Sequence, residues 1–262
     1  MFFLFAIDSL AYSSPLRFWP PLGKLMLSLS LLIASLLSPT PLVPIIVFAI
    51  GLALLYKSTS FSFPAILVVA YANTFFLLLL SVCIIGLMLP GEQIYSAKIS
   101  QFTLTITREG ANLALLVFLR ALAGFSVLLF FASSTPIPHL FLALRLLRVP
   151  VHVAELAVLV YRYSFMMLEQ LIQMFIAADC RLGYKDMKTA LFTTAKITAS
   201  LFGRSMDFAE RAQNALYCRN FNGSFPAFRQ PAPLDYRWVA SSFAIFISLV
   251  SVGNYFQTFL VL

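Results

Sequence analysis

The run from Phe63 to Leu89 contains no charged side chain, and this feature most restricts what the chain can fold into. A helix that crosses the hydrocarbon core of a bilayer needs about 20 predominantly apolar residues, and this run is longer than that. Of the 262 residues, 61% are hydrophobic and only 11% are charged, whereas soluble domains are roughly 25% charged. The sequence therefore predicts an all-α, polytopic membrane protein.

Four other apolar segments bring the predicted number of transmembrane helices to about five. The first two are short and are joined by an uncharged Ser-Pro-Thr-Pro turn, so we expect a tight helical hairpin. Between the third and fourth spans, Gln101–Thr107 alternates polar and apolar residues, which predicts a short strand. The last span begins with Arg237 and Trp238, which suit the membrane–water interface. The four segments are Leu22–Ser38, Pro41–Tyr56, Ala111–Ser133 and Tyr236–Leu262.

The distribution of basic residues predicts the orientation of these spans. The formal charge is +8, and we attribute it to topology rather than to nucleic-acid binding, because cytoplasmic segments collect Lys and Arg. Most basic residues lie between positions 134 and 235, and Arg17 and Lys57 fall on the same side when five spans are counted. We therefore expect the N-terminus and this region inside and the C-terminus outside. The first residues lack a basic stretch before an apolar core, so we expect no cleavable signal peptide.

The region between the last two spans is predicted to be helical rather than an ordinary soluble domain. Pro136–Leu147 has the pattern of a short amphipathic helix. Two long helices follow over about Val151–Asp179 and Asp186–Cys218, with Gly183 as the stop signal of the first. We divide the chain into membrane helices over 1–135, long helices over 136–235 and a final span over 236–262.

Both long helices end in Cys-Arg followed by a turn. One interpretation is a local cap, because a helix C-terminus has unpaired carbonyls and a partial negative charge. The alternative is docking, because the five planar donors of arginine suit carboxylate and backbone oxygens of a partner. Since the pattern occurs twice, we expect the two arginines to be tips of one docking surface. The two ends read Cys180-Arg181-Leu182 and Cys218-Arg219-Asn220.

Charged residues within the apolar helices are the other candidate functional groups. Glu155, Arg162 and Glu169 recur at a spacing of one heptad on roughly one helix face, which predicts a Glu-Arg-Glu ladder or a face toward a partner or water. Arg120 lies within a predicted span, where an ionisable residue indicates a functional site by default. It would pair with Glu109, Glu155 or Glu169, line a partner contact, or lie nearer the interface than the span suggests.

Motifs typical of catalysis and metal binding are missing from the sequence. No phosphate-binding loop, HExxH or GxSxG motif occurs. His139 and His152 lack a Cys or carboxylate cluster at ligand spacing. The cysteines form no CxxC pair, which argues against a disulfide framework or a zinc site. We expect no catalytic residue, no metal ligand and no directly bound cofactor.

Taken together, these residues resemble the transmembrane T component of energy-coupling-factor (ECF) transporters, of the cobalt/nickel CbiQ type. That family has two Ala-Arg-X motifs at the ends of two coupling helices. The two Cys-Arg ends occupy these places, with cysteine instead of alanine and with Asn220 where glycine is common. The resemblance covers nearly the whole chain. Its other segments are Leu144–Pro150 with Arg145 and Arg148, Tyr161–Tyr163, Glu169, Ile7–Ala11 with Lys24, and Cys218–Gly223.

The resemblance implies a scaffold and coupling subunit of a metal importer in the bacterial or archaeal cytoplasmic membrane, for cobalt in preference to nickel. The implied partners are two cytoplasmic ATPase subunits, which use the ATP, and a membrane substrate-binding (S) subunit, with or without a small accessory membrane subunit. The resemblance implies that Arg181 and Arg219 make the essential ATPase contacts.

Two other classes of function remain open from the residues alone. A membrane-embedded enzyme such as a lipid-headgroup transferase would need clustered acids or histidines, and Asp179, Asp186, Asp207 and Glu210 form no DxxD motif. A self-contained secondary transporter would show an internal repeat with broken helices, and the sequence contains none that we detect.

Overall fold

The structure is a computed structural model that describes residues 2–59, 63–88, 93–99, 102–147, 149–221 and 235–260. It is helical over most of this length, which confirms the predicted all-α class. The polypeptide divides into two compact units. The first, called here the membrane unit, consists of Met1–Leu140 and Pro231–Leu262, and the second, called the long-helix unit, is Phe141–Gln230.

The helices of the chain agree closely with the apolar segments. Three of them, α4, α5 and α9, are long and apolar enough to cross a membrane, and α2 and α3 are shorter apolar helices of 17 residues. The predicted span ends at Leu89 and Leu262 lie outside the described residues. In chain order the helices are α1 (Phe2–Ser13), α2 (Pro21–Leu37), α3 (Leu42–Ser58), α4 (Ala65–Met88), α5 (Arg108–Ser134), α6 (Ile137–Ala143), α7 (Val151–Cys180), α8 (Met187–Cys218) and α9 (Tyr236–Leu260).

Three elements of the structure extend or correct the sequence prediction. Helix α1 and a 3-10 helix over Pro15–Phe18 were not predicted, because both are too short to give a span signal. The predicted strand is present as β2 (Phe102–Thr107), and it pairs in antiparallel register with β1 (Gln93–Ile99). This β-hairpin between α4 and α5 is an addition to the all-helical fold.

Helix α5 is the central helix of the membrane unit, and both parallel and antiparallel helices pack against it. Helix α3 runs parallel to α5, because Gly51 packs beside Ser126 and the Ser58 hydroxyl donates to the Ser133 carbonyl at 3.2 Å. Helix α4 is antiparallel to α5, since the Tyr71 hydroxyl donates to Ser126 and the Phe75 ring contacts Phe118. A Cβ at Gly51 would lie 3.0 Å from Ser126 Cβ, so glycine permits this close approach.

Helices α2 and α9 run side by side in the direction opposite to α5. A Cβ on Gly23 of α2 would lie 3.2 Å from the Trp238 ring, and one on Gly253 would lie 3.3 Å from Ser38 Oγ. Buried aliphatic side chains from α2, α3, α5 and α9 form one continuous core, which ties the last helix to the first ones. Its members are Leu31, Ala34, Val43, Val47, Ala123, Val127 and Leu249.

Two cations link the ends of α2 and α5 in a reciprocal way. Lys24 lies near the start of α2 and is 1% exposed. Its Nζ donates to the carbonyl of Ser134, the last residue of α5, at 2.6 Å, and to the carbonyl of Leu16 at 3.0 Å. Arg120 of α5 donates in turn from Nη2 to the carbonyl of Ser38, the residue that ends α2, at 2.6 Å. Each helix therefore supplies a donor for the unpaired carbonyls at the end of the other.

The reciprocal pairs also fix how far the α2–α3 hairpin extends along α5. Lys24 and Ser38 are as far apart in sequence as Arg120 and Ser134, and each separation is about 21 Å of helix. Arg120 is itself about 18 Å of helix from Arg108, where α5 begins. The α2–α3 turn therefore lies part-way along α5, with Ser38 and Thr40 buried. This agrees with the expected tight hairpin of two short spans, because both helices are shorter than α4, α5 and α9 around them.

Replacing Lys24 with methionine should destabilise the membrane unit by about 1–3 kcal/mol, because buried carbonyls lose a donor where water cannot replace it. The matched control is Lys188→Met, which removes the same charge from an exposed position on α8. The measurement is the midpoint of thermal unfolding of the purified protein in a neutral detergent. Equal midpoints for the two variants would contradict a capping role for Lys24.

Candidate functional site

The long-helix unit is built on α7 and α8, which run antiparallel as a helical hairpin. The predicted bounds agree with the structure to within one residue at each end. Near the turn between the helices, the Thr193 hydroxyl donates to the Gly183 carbonyl at 2.9 Å. Farther along, the Tyr163 ring meets the Phe208 ring edge-on, with centroids 5.2 Å apart. The end of α8 therefore lies beside the first half of α7.

The two Cys-Arg ends have the same backbone structure. Each arginine is the C-cap of its helix, with φ and ψ of −96° and 14° for Arg181 and −94° and 11° for Arg219. After Arg181, the Leu182 amide donates to Asp179 and the Gly183 amide to Ala178, both at 2.9 Å. This pair of bonds defines a Schellman motif.

The second end repeats these bonds at equivalent positions. The Asn220 amide donates to the Tyr217 carbonyl at 3.0 Å, and the Phe221 amide donates to Leu216 at 3.1 Å. Because backbone amides fill the carbonyls in both motifs, the arginine side chains are not needed as caps. Within the described residues neither guanidinium forms a hydrogen bond or an ion pair, and both are exposed.

The residue after each arginine adopts the left-handed conformation, with φ of 58° at Leu182 and 52° at Asn220. Asparagine tolerates this region, whereas leucine is strained in it because its Cβ crowds the backbone. Gly183, which the sequence predicted as the stop, follows the strained residue instead. A Cβ on Gly183 would lie 2.9 Å from the Ala178 carbonyl oxygen, so close approach rather than positive φ requires the glycine.

All six residues of the two motifs are exposed, and the two motifs lie at different ends of the hairpin. Helix α8 has 32 residues, which corresponds to about 48 Å. Arg181 lies at the turn of the hairpin and Arg219 at its open end, so the two tips are separated by roughly that length. The hairpin therefore has two separate tips that carry the same local structure, and their docking role stays a prediction. The residues are Cys180, Arg181, Leu182, Cys218, Arg219 and Asn220.

The second tip borders a groove between α7 and α8. The groove has a volume of about 470 Å³, and Glu155, Arg162 and Arg219 contribute to its lining together with apolar side chains such as Met166 and Phe208. Glu169 is exposed and does not line this groove. The three charged residues spaced by one heptad therefore separate: Glu155 and Arg162 line the groove with Arg219, whereas Glu169 lies outside it.

Arg120 interacts with a backbone carbonyl rather than with one of the three acids proposed from the sequence. Glu109 lies on the same helix but about 16 Å away along it. Arg145 belongs to a 3-10 helix over Leu144–Leu147, and Arg148 lies outside the described residues. The turn residues Asn222 and Gly223 also lie outside them.

Sequence reasoning missed the structural role of Lys24 and the left-handed residues of the two tips. The available signals were a lone lysine near the start of an apolar helix and the repeated position after each Cys-Arg pair. Among the described residues, no group of three His, Cys, Asp or Glu side chains could hold a metal ion. His139 lies in α6, where burial, aided by the charges of Arg17 and Lys24, lowers its pKa.

Most of the chain matches one protein-family model. The profile of the family described as "CbiQ: Cobalt transport protein" matches residues 12–229, which include most of the membrane unit and both tips. The chain belongs to the CbiQ cobalt transport protein family.

Three curated relatives are 29–30% identical to the chain over the aligned residues. An uncharacterized protein of Methanocaldococcus jannaschii is 29% identical over 83% of the chain and 81% of its own length. A putative fused cobalt transport protein CbiMQ of Methanocorpusculum labreanum is 29% identical over 83% of the chain and 36% of its length. The cobalt transport protein CbiQ of Rhodobacter capsulatus is 30% identical over 53% of the chain, and the match spans 57% of that protein.

Replacing Leu182 with glycine should stabilise the long-helix unit by about 1 kcal/mol, because glycine adopts positive φ without the Cβ clash. The matched control is Leu191→Gly, which replaces another exposed leucine in the interior of α8. This control should destabilise by about 0.5–1 kcal/mol. Thermal unfolding of both variants in detergent shows whether each substitution raises or lowers the stability. A loss of stability in Leu182→Gly would contradict the inference that Leu182 is strained at positive φ.

Proposed function

We propose that this protein is the transmembrane scaffold and coupling subunit, or T component, of an ECF-type importer for a transition metal ion, with cobalt preferred over nickel. The observation that carries the proposal is the repetition of one arginine-bearing helix cap at the two ends of a single long hairpin. Two equal tips suit two equal sockets, one on each of two ATPase subunits. Membership in a cobalt transport family supports the metal, which a partner would select.

The physical argument starts from rigidity. Each Schellman motif fixes the backbone of its tip, and the arginine projects from it with all its donors unused. A guanidinium offers a planar fork to carboxylate or backbone oxygens, so each tip can bind its socket with several charge-assisted bonds. When ATP draws the two ATPases together, the tips are displaced, and the helices between them transmit the motion. ATP is bound and hydrolysed by these partners, and this chain needs no cofactor of its own.

A membrane substrate-binding subunit is the second proposed partner. Helix α8 has one buried residue, Ile197, and large apolar side chains on α7 and α8 are exposed. Exposed apolar surface of this extent marks an interaction site in water or in the membrane. The fused relative, whose name joins a CbiM part to a CbiQ part, supports an association with another membrane component. Examples of the exposed residues are Leu156, Val160, Met187, Leu191, Phe202 and Met206.

We propose that the end of the membrane unit where α3 ends and α9 begins faces the cytoplasm. This end, called the basic end, carries Arg17, Lys57 and Arg237. Segments rich in Lys and Arg stay inside, so the N-terminus and the long-helix unit would be cytoplasmic. Helix α9 runs from the basic end to the opposite one, so the C-terminus would be outside. The host membrane would be a bacterial or archaeal cytoplasmic membrane.

Replacing Arg181 and Arg219 together with alanine should abolish coupling between ATP hydrolysis and metal uptake. Each lost charge-assisted contact weakens the ATPase interaction by about 10- to 100-fold. The measurement is co-purification of ATPase subunits that are expressed together with this chain, followed by uptake of radioactive cobalt into cells. Arg181→Lys and Arg219→Lys should give intermediate results, because lysine keeps the charge and loses the planar fork.

The matched control is Arg204→Ala, which removes an equal charge from the exposed middle of α8. It should leave both co-purification and uptake unchanged. Unaltered uptake in the double alanine variant would refute the role of the tips. Absence of any ATPase from the purified wild-type complex would refute the assignment as a coupling subunit.

A further inference from the structure

Both tryptophans of the chain lie together at the basic end. Trp19 follows the 3-10 helix, Trp238 is in the first turn of α9, and their ring centroids are 4.8 Å apart with the planes tilted by 57°. The ammonium of Lys57, in the last turn of α3, lies over the Trp19 ring at 5.5 Å. Three separate elements therefore meet at one point, and we call Trp19, Lys57 and Trp238 the tryptophan cluster.

The surface around the tryptophan cluster has an excess of unpaired positive charge. Lys57 and Arg237 are exposed, and Arg17 is half-buried, where its guanidinium lies over the Tyr12 ring at 5.2 Å. None of the three cations has an ion-pair partner in the described part of the chain. The described acids at this end are Asp8 and Asp235, so the cations outnumber them.

The position of the tryptophan cluster is that of a membrane interface. It lies where α3 ends and α9 begins, at the border between apolar helix and polar chain. Half-buried indole rings are favoured at this depth, because they combine an apolar body with one N–H donor. Phe18, next to Trp19, is 78% exposed, so a large ring projects from the same segment. In water this would be costly, whereas among acyl chains it is favourable.

We propose that the tryptophan cluster, with Arg17, binds the phosphate of an anionic phospholipid headgroup. The ammonium of Lys57 supplies up to three donors and the indoles supply N–H groups, and all of these suit phosphate oxygens. Basic pockets beside membrane helices bind the headgroups of anionic lipids at the membrane surface. The exposed Phe18 ring contacts the acyl region of the same lipid, which is why a lipid is preferred over free phosphate. This binding would fix the depth of the ends of α3 and α9 in the bilayer.

The site can be tested by tryptophan fluorescence, since the chain has only two tryptophans and both are in the cluster. The full-length protein in neutral-detergent micelles is titrated with phosphatidylglycerol whose acyl chains carry bromine, which quenches nearby indoles. The same titration is made with brominated phosphatidylcholine. We expect half-maximal quenching at a clearly lower fraction of phosphatidylglycerol, and we expect salt to reduce this preference.

The variant Arg17→Gln with Lys57→Gln should lose the preference, by about fivefold for each cation removed. The matched control, Lys188→Gln with Arg204→Gln, removes the same charge from exposed positions of α8 and should behave like wild type. Lys57→Arg keeps the charge and should retain the preference, so it tests the site even if the double variant folds poorly.

Two results would overturn the proposal. The first is equal quenching by the two lipids, which would show that the cluster contacts acyl chains without recognising a headgroup. The second is loss of the quenching when inorganic phosphate is added at low concentration. This result would show that phosphate alone displaces the lipid and would identify a site for soluble phosphate.

Discussion

The structure of the membrane unit depends on the backbone carbonyls at the ends of two unequal helices. At a helix end that is buried from water these groups need other donors, and a side chain can supply them. Lys24 and Arg120 supply them across the α2–α5 pair, with donor–acceptor distances of 2.6 Å at both ends. The short α2–α3 hairpin can therefore stop part-way along α5, and α9 packs over it through the close approach of Gly253 to Ser38. The order of the helices around α5 follows from this arrangement.

At each of the two tips the backbone forms the helix cap, so the arginine side chain remains free for a binding role. The sequence left two interpretations of Arg181 and Arg219, a cap or a docking group. In the structure the amides that follow each arginine fill the helix carbonyls, so the cap is made by the backbone and the guanidinium remains available. The left-handed conformation of Leu182 is strained, but it turns the chain away from the end of α7 and leaves Arg181 exposed.

The spans and the long helices could be predicted because apolar runs and helix stop signals are local properties of the sequence. The strand at Phe102–Thr107 was predictable for the same reason, from its alternating pattern. The partner of Arg120 was not, because it is a backbone carbonyl far away in sequence, and no side-chain pattern marks a carbonyl. The separation of the two tips was missed because the sequence shows where two helices end but not that they fold antiparallel. Short helix α1 carries too little apolar length to be distinguished from the residues before a span.

The short hairpin has a consequence for the lipid around the protein. Helices α2 and α3 expose apolar side chains such as Leu36, Ile45 and Ile46, yet each is only about 25 Å long. On another side, α4 is apolar over Ala65–Ile84, which corresponds to about 30 Å of helix. A hydrocarbon core of about 30 Å cannot match both heights at once. A bilayer that matches α4 therefore has to thin beside the hairpin. The protein thus imposes an uneven membrane thickness around its circumference, and a neighbouring subunit with a sloping apolar belt would fit against it at lower elastic cost than one with a level belt.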